Sequence, residues 1–167
     1  TFDTTPVGDI PNGWAEWTND GTTGFAVSTA KSESGNGFQA GGSSRTAARS
    51  WLDQVQPADV QASVSFLADS LIPGMLYVRG SDLDSTTPSY YAVSVTRGLN
   101  VNLVRVVDGQ ETTLATIKSR SWLSNAWIRL TLTNVGDQLR VVVLNSANST
   151  WLTADGEWSD APQPAFE

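Results

Sequence analysis

Apolar residues recur at every second position through much of this chain. Val60, Ala62, Val64 and Phe66 fall on one side of an extended segment, with small polar residues between them. Ile128, Leu130 and Leu132 alternate with Trp127, Arg129, Thr131 and Thr133. Leu139, Val141 and Val143 form a third stripe, and Tyr91, Val93 and Val95 a fourth, followed by Val101 and Leu103. A period of two predicts strands with one face buried. Asn12-Gly13, Asp20-Gly21, Asn36-Gly37, Asp108-Gly109 and Asp155-Gly156 punctuate the runs and tolerate positive φ. Val104–Val107 and Thr112–Ile117, joined through Asp108-Gly109-Gln110-Glu111, read as a hairpin, and Gly136-Asp137 separates two more strands. Thr46–Val55 has some helical composition, but Arg45, Ala47, Arg49 and Trp51 alternate, so it reads as a strand. Gly41–Ser44 reads as a turn.

About a dozen short strands without helices predict an all-β fold, a two-sheet antiparallel β-sandwich. The 167 residues suit a single domain over 1–160, with an extended C-terminal tail over 161–167 that leads outward through Ala161-Pro162-Gln163-Pro164. No apolar run is long enough to cross a bilayer, so no membrane span is expected. The absence of an initiating Met suggests a mature or excised piece of a larger protein.

Charge and composition then narrow the chemistry. Ten basic and 17 acidic residues give a net charge of -7, and the basic ones are scattered, which argues against a nucleic-acid partner. The chain has no Cys and no His. That removes disulfides, thiolate sites and a Ser-His-Asp arrangement. The Thr-, Ser-, Asn- and Gly-rich, Lys-poor composition reads as that of an exported bacterial β-protein, extracellular or at the cell surface.

Phe2-Asp3 with Gly8, Pro11, Gly13 and Trp14 resembles the first strand and loop of bacterial concanavalin A-like jelly-roll domains, which include laminin G-like and 3-keto-disaccharide hydrolase-like modules. Met75-Leu76-Tyr77-Val78-Arg79 before an acidic loop, Tyr90-Tyr91-Ala92-Val93, Leu103–Gly109, Trp127-Ile128-Arg129-Leu130 and Gly136-Asp137-Gln138-Leu139 follow in the same order. The resemblance implies a jelly roll. It also implies a closing C-terminal strand that this sequence lacks, leaving an open edge that a neighbouring domain or subunit could fill.

The parity of Tyr77, Arg79, Tyr90 and Asn102 opposes the apolar stripes, so all four are expected on the polar side of neighbouring strands. In the family that is the concave, glycan-binding face, where aromatic rings stack on sugars and Arg and Asn donate to hydroxyls or carboxylates. A ladder of structural cross-strand pairs explains the same pattern. Among seven Trp residues, Trp122, in the loop after Ser119-Arg120-Ser121, is the candidate for sugar stacking, and Trp127 caps its strand. The resemblance assigns Asp3 to a structural calcium, which needs six or more oxygen ligands. No other cofactor is expected. Asp82 and Asp84 are paired carboxylates, but the Glu-x-Asp-x-x-Glu run of the family's laminarinases is absent, and the loop reads as solvated. Asn148-Ser149-Thr150 matches a glycosylation sequon by chance.

Three functions follow in order. The first is a non-catalytic module that binds a polysaccharide or glycan. The second is a structural subunit of an extracellular fibre or surface layer, joined through the open edge. The third is a glycoside-active hydrolase.

Overall fold

A computed structural model of the chain describes residues 2–21, 24–41 and 47–167; the expected turn at Gly41–Ser44 and the side chain of Arg45 fall outside them, apart from Gly41. The described residues form 13 strands and no helix, and every strand pairing is antiparallel. They divide into two compact units, residues 1–55 with 82–86, and residues 56–81 with 87–167.

In the first unit, β1 (Trp14–Thr18) pairs with β4 (Ala48–Leu52), and β2 (Phe25–Ser28) pairs with β3 (Gly37–Ala40). The strand expected within 46–55 is therefore present as β4. Phe2, Trp14, Phe25 and Phe38 hold this unit together. Phe38 lies 5.1 Å from Phe2, 5.4 Å from Trp14 and 5.2 Å from Phe25, centroid to centroid. Edge-on and offset contacts of this kind complement the ring quadrupoles. Arg49 lies 4.0 Å over the Trp17 ring and donates to the carbonyls of Leu83 (3.1 Å) and Ser85, which fastens the 82–86 loop to this unit. The expected Asn36-Gly37 turn shifts by a residue: Gly35 carries the positive φ of 61°, and Gly37 already begins β3.

The second unit contains a four-stranded and a five-stranded sheet. β6 (Gly74–Ser81), β7 (Ser89–Val95), β8 (Asn100–Val107) and β9 (Gln110–Lys118) follow one another in chain order. β5 (Val60–Ala68), β10 (Ala126–Val135), β11 (Gln138–Asn145), β12 (Thr150–Leu152) and β13 (Trp158–Ser159) make the other sheet, in the order β13-β12-β11-β10-β5. The predicted stripes meet in one core. Val93, Val95, Val101, Leu103 and Ile117 come from the first sheet, and Ile128, Leu130, Leu132, Val141 and Val143 from the second. Each such side chain contributes about 1.5–3 kcal/mol by leaving water. The arrangement is sandwich-like.

The described residues thus form four sheets where two were expected. The reason lies in the first unit, whose strands of four or five residues close into two-stranded ribbons rather than extending a larger sheet. In the β8–β9 hairpin Asp108 (φ 49°) and Gly109 (φ 78°) form a tight two-residue connection, as their sequence requires. Residues 161–167 do not project: Ala165 is buried, and Phe166 bridges Val141 of β11. The Phe166 carbonyl accepts from Val141 N–H at 2.9 Å, and the Val141 carbonyl accepts from Ala165 N–H at 2.8 Å.

Candidate functional site

Register places Tyr77 opposite Ala92, Tyr90 opposite Val106, and Asn102 opposite Ser94 and Thr116, so these three candidates share one face of the four-stranded sheet. The Tyr77 and Tyr90 rings lie 5.2 Å apart, tilted by 39°. Asn102 Oδ1 accepts from the Thr116 hydroxyl at 2.8 Å. That face is no open platform, however. Ala92, Ser94, Val104 and Val106 around the pair are all buried.

Arg79 leaves the group. The β6–β7 register shifts between Val78 and Ser81, and Arg79 takes a φ of 53°. One extra residue in a bulge turns the next side chain to the other side. The Arg79 guanidinium donates to Ala58 O at 3.0 Å and pairs with Asp59 at 3.5 Å. It lines a cavity of about 450 Å³ with Tyr91, Arg105, Leu114, Asn134, Gly136, Asp137 and Leu139.

Asp3 sits in the first unit and accepts from the Asn36 backbone N–H at 2.6 Å. Among the described residues no group of three or more Asp, Glu, Cys or His side chains is arranged to hold a metal ion. A calcium at Asp3 would have to be built mostly from backbone oxygens. Asp82 and Asp84 are exposed in the 82–86 loop, where the Asp82 carbonyl accepts from the Ser85 hydroxyl at 2.8 Å. The Asn148 carboxamide closes its own turn by accepting from the Thr150 hydroxyl at 2.8 Å.

Trp122 stands at one end of the second unit, where the connections after β5, β7, β9 and β12 gather. The residue is 68% exposed. The six-membered ring nevertheless has a seat. A Cβ on Gly98 would stand 2.8 Å from its Cε3, so the ring lies on bare backbone. Gly98 holds a φ of 84° and donates to Leu123 O at 2.6 Å. The surrounding loops are cross-tied. Ser119 N–H donates to Leu99 O (3.0 Å), Arg120 N–H to Gly156 O (2.9 Å), and Trp158 Nε1 to Ser119 Oγ (3.0 Å). Arg120 pairs with Glu157 at 2.7 Å. A hydrogen bond from the Thr153 hydroxyl holds the Asp155 carboxyl below the ordinary carboxylate range, helped by Asp155's own backbone and by Arg120. Leu71 and Ile72, both exposed, sit in the β5–β6 connection at the same end, tied in where Arg97 N–H donates to Ser70 O at 2.8 Å.

The arrangement offers an exposed indole resting against the Gly98 backbone, with donors and acceptors in Arg120, Asp155 and Glu157 of the flanking connections. That combination suits stacking on an apolar ring face while polar groups meet hydroxyls. Comparison with protein-family profiles, with curated proteins and with solved structures found no match to this chain.

Proposed function

We propose that this chain is a non-catalytic carbohydrate-binding module of an exported, extracellular protein, and that its glycan stacks on Trp122. The concanavalin A-like resemblance and its jelly-roll implication belong to this proposal. The observation that carries it is the seated ring: Trp122 is 68% exposed, yet its ring lies on Gly98 among loops tied by backbone hydrogen bonds. Trp122 shares this end with exposed Leu71 and Ile72, and apolar side chains exposed together mark contact surfaces. Pre-setting its orientation lowers the entropy lost when a ligand lands. The site lies at the loop end of the unit, not on the sheet face that holds Tyr77, Tyr90 and Asn102. The test is a polysaccharide and glycan array, with and without chelator. Saturable binding to one glycan class that disappears in Trp122→Ala supports the reading, and a blank array from well-folded protein refutes it. Loss with chelator would reveal a calcium.

A second reading, a subunit joined through a sheet edge, draws on a cleft of about 390 Å³ beside β9, lined by Leu114, Ala115, Leu139, Ala165 and Phe166 among others. β9 is an outer strand, and Leu114 is exposed on it. Against it, the β8–β9 register shifts between Leu103 and Val104, and bulges of this kind discourage added strands. Concentration-dependent sedimentation decides: a monomer across the range removes this reading.

A further inference from the structure

The cavity that takes in Arg79 lies at the opposite end of the second unit from Trp122. Lys118, just before the Trp122 loop, pairs with Asn100, whereas Arg105 pairs with Thr112 near the other end of the same hairpin. Arg105 also lies opposite Tyr91 in β7. By register these two share the face of Val93 and Leu103, the face that packs into the core. They therefore stand where the core opens to solvent. From the other sheet Asn134 occupies the matching position. It continues the stripe Ile128, Leu130, Leu132, and it is 1% exposed.

Two polar groups in this cavity are left over. Asn134 Nδ2 donates to Gly136 O (3.4 Å) and Gln138 O (3.2 Å), which fixes which way the amide faces. Its Oδ1 is buried with no hydrogen-bond donor. Buried acceptors without partners are rare, and each asks for a water or a ligand. The other is Arg105. Arg79 has Asp59 at 3.5 Å, but among the described residues no carboxylate lies within ion-pair distance of Arg105. Arg105 is exposed and lines the cavity, so its guanidinium is accessible to an anionic ligand. Asp137 lines the cavity as an acceptor, and Leu114 and Leu139 supply apolar wall. The volume, about 450 Å³, falls in the range of small-ligand pockets.

We infer that this cavity is a second ligand site, and that it takes a uronic-acid end of an acidic glycan. The sugar carboxylate meets the Arg105 fork, a geometry that guanidinium matches better than a point charge does. Ring hydroxyls donate to the Asp137 carboxylate at the cavity wall. The carbon faces of the ring lie against Leu114 and Leu139. This rests on the carbohydrate reading above but uses none of the residues of the Trp122 end.

The experiment titrates the whole chain with trigalacturonate and with a neutral galactose trisaccharide, followed by NMR and calorimetry at low and high salt. Trigalacturonate is expected to bind and to weaken with salt. Arg105→Gln, at an exposed position, is expected to weaken it at least tenfold while the thermal midpoint holds. Arg105→Lys restores only part, and the trigalacturonate-induced shifts centre on Arg105, Asp137 and Leu139 rather than on the Trp122 loop. Equal binding of the neutral trisaccharide, or trigalacturonate binding that survives Arg105→Gln or vanishes in Trp122→Ala, overturns the inference. If a neutral glycan binds through Trp122 and trigalacturonate does not bind, this site falls and the module reading stands. If no glycan binds at all, both fall.

Discussion

Gly98→Ala tests whether the Trp122 ring is held from beneath. Gly98 has a φ of 84°, so an L-residue there is strained, at a cost of about 1–2 kcal/mol. The added methyl would also stand 2.8 Å from Trp122 Cε3, inside van der Waals contact. The indole is the far end of a flexible side chain on a residue that is 68% exposed, so it relieves the overlap by swinging away. The clash should therefore appear in ring orientation more than in stability. The thermal midpoint is expected to fall by several degrees. The Trp122 indole N–H resonance should broaden or shift, while that of Trp158, bonded to Ser119 Oγ, stays put. Glycan affinity should fall at least tenfold, equivalent to about 1.4 kcal/mol of lost stacking. Trp122→Ala supplies the limit: it should lose the same binding without the fall in midpoint. If Gly98→Ala leaves the Trp122 resonance and glycan affinity unchanged, the backbone is not the seat, and the argument from a pre-oriented ring fails.

Leu132→Ala removes a fully buried side chain from the shared core and should cost about 2–5 kcal/mol by denaturant unfolding. Arg49→Ala removes a cation–π contact and two bonds to the 82–86 loop, so hydrogen exchange at 83–86 should accelerate at neutral pH while exchange in β10 and β11 stays as in the parent. Because the Thr153 hydroxyl depresses the folded-state pKa of Asp155, this carboxylate favours the fold above its unfolded-state pKa, and the benefit disappears as pH falls through the lowered folded value. An NMR titration should place Asp155 on the acid side of the ordinary range, and Thr153→Val should move it back up.

The larger unit's strands were legible because alternation reports burial directly, and Asp108-Gly109 names its own turn. The bulge at Val78–Ser81 was not. Inserting one residue leaves composition and apolar count untouched, yet it carried Arg79 away from Tyr77. The burial around Tyr77, Tyr90 and Asn102 has a sign in the sequence. Ala92, Val104 and Val106 lie on their face, and Leu103-Val104 breaks the alternation, a sign of burial on both sides. The Arg105 cavity joins residues more than 30 positions apart, and pairing register alone brings them together. Its one local clue was Asn134, a polar residue ending the stripe Ile128, Leu130, Leu132. Trp122 was singled out from its loop setting, but its seat on Gly98 depends on a contact between two separate connections. The Phe166 bridge left no pattern either, since a single paired residue has no period.

The Phe166–Val141 bridge also sets how the chain end responds to mechanical load. Its hydrogen bonds all converge on one residue of β11. A pull on Glu167 across the sheet meets them together with the Arg140–Glu167 ion pair and the burial of Ala165, so these residues detach in one step. The β10–β11 ladder, paired over eight residues, is not yet engaged at that point. Under tension residues 165–167 therefore act as a small clasp that opens before the β10–β11 ladder bears force.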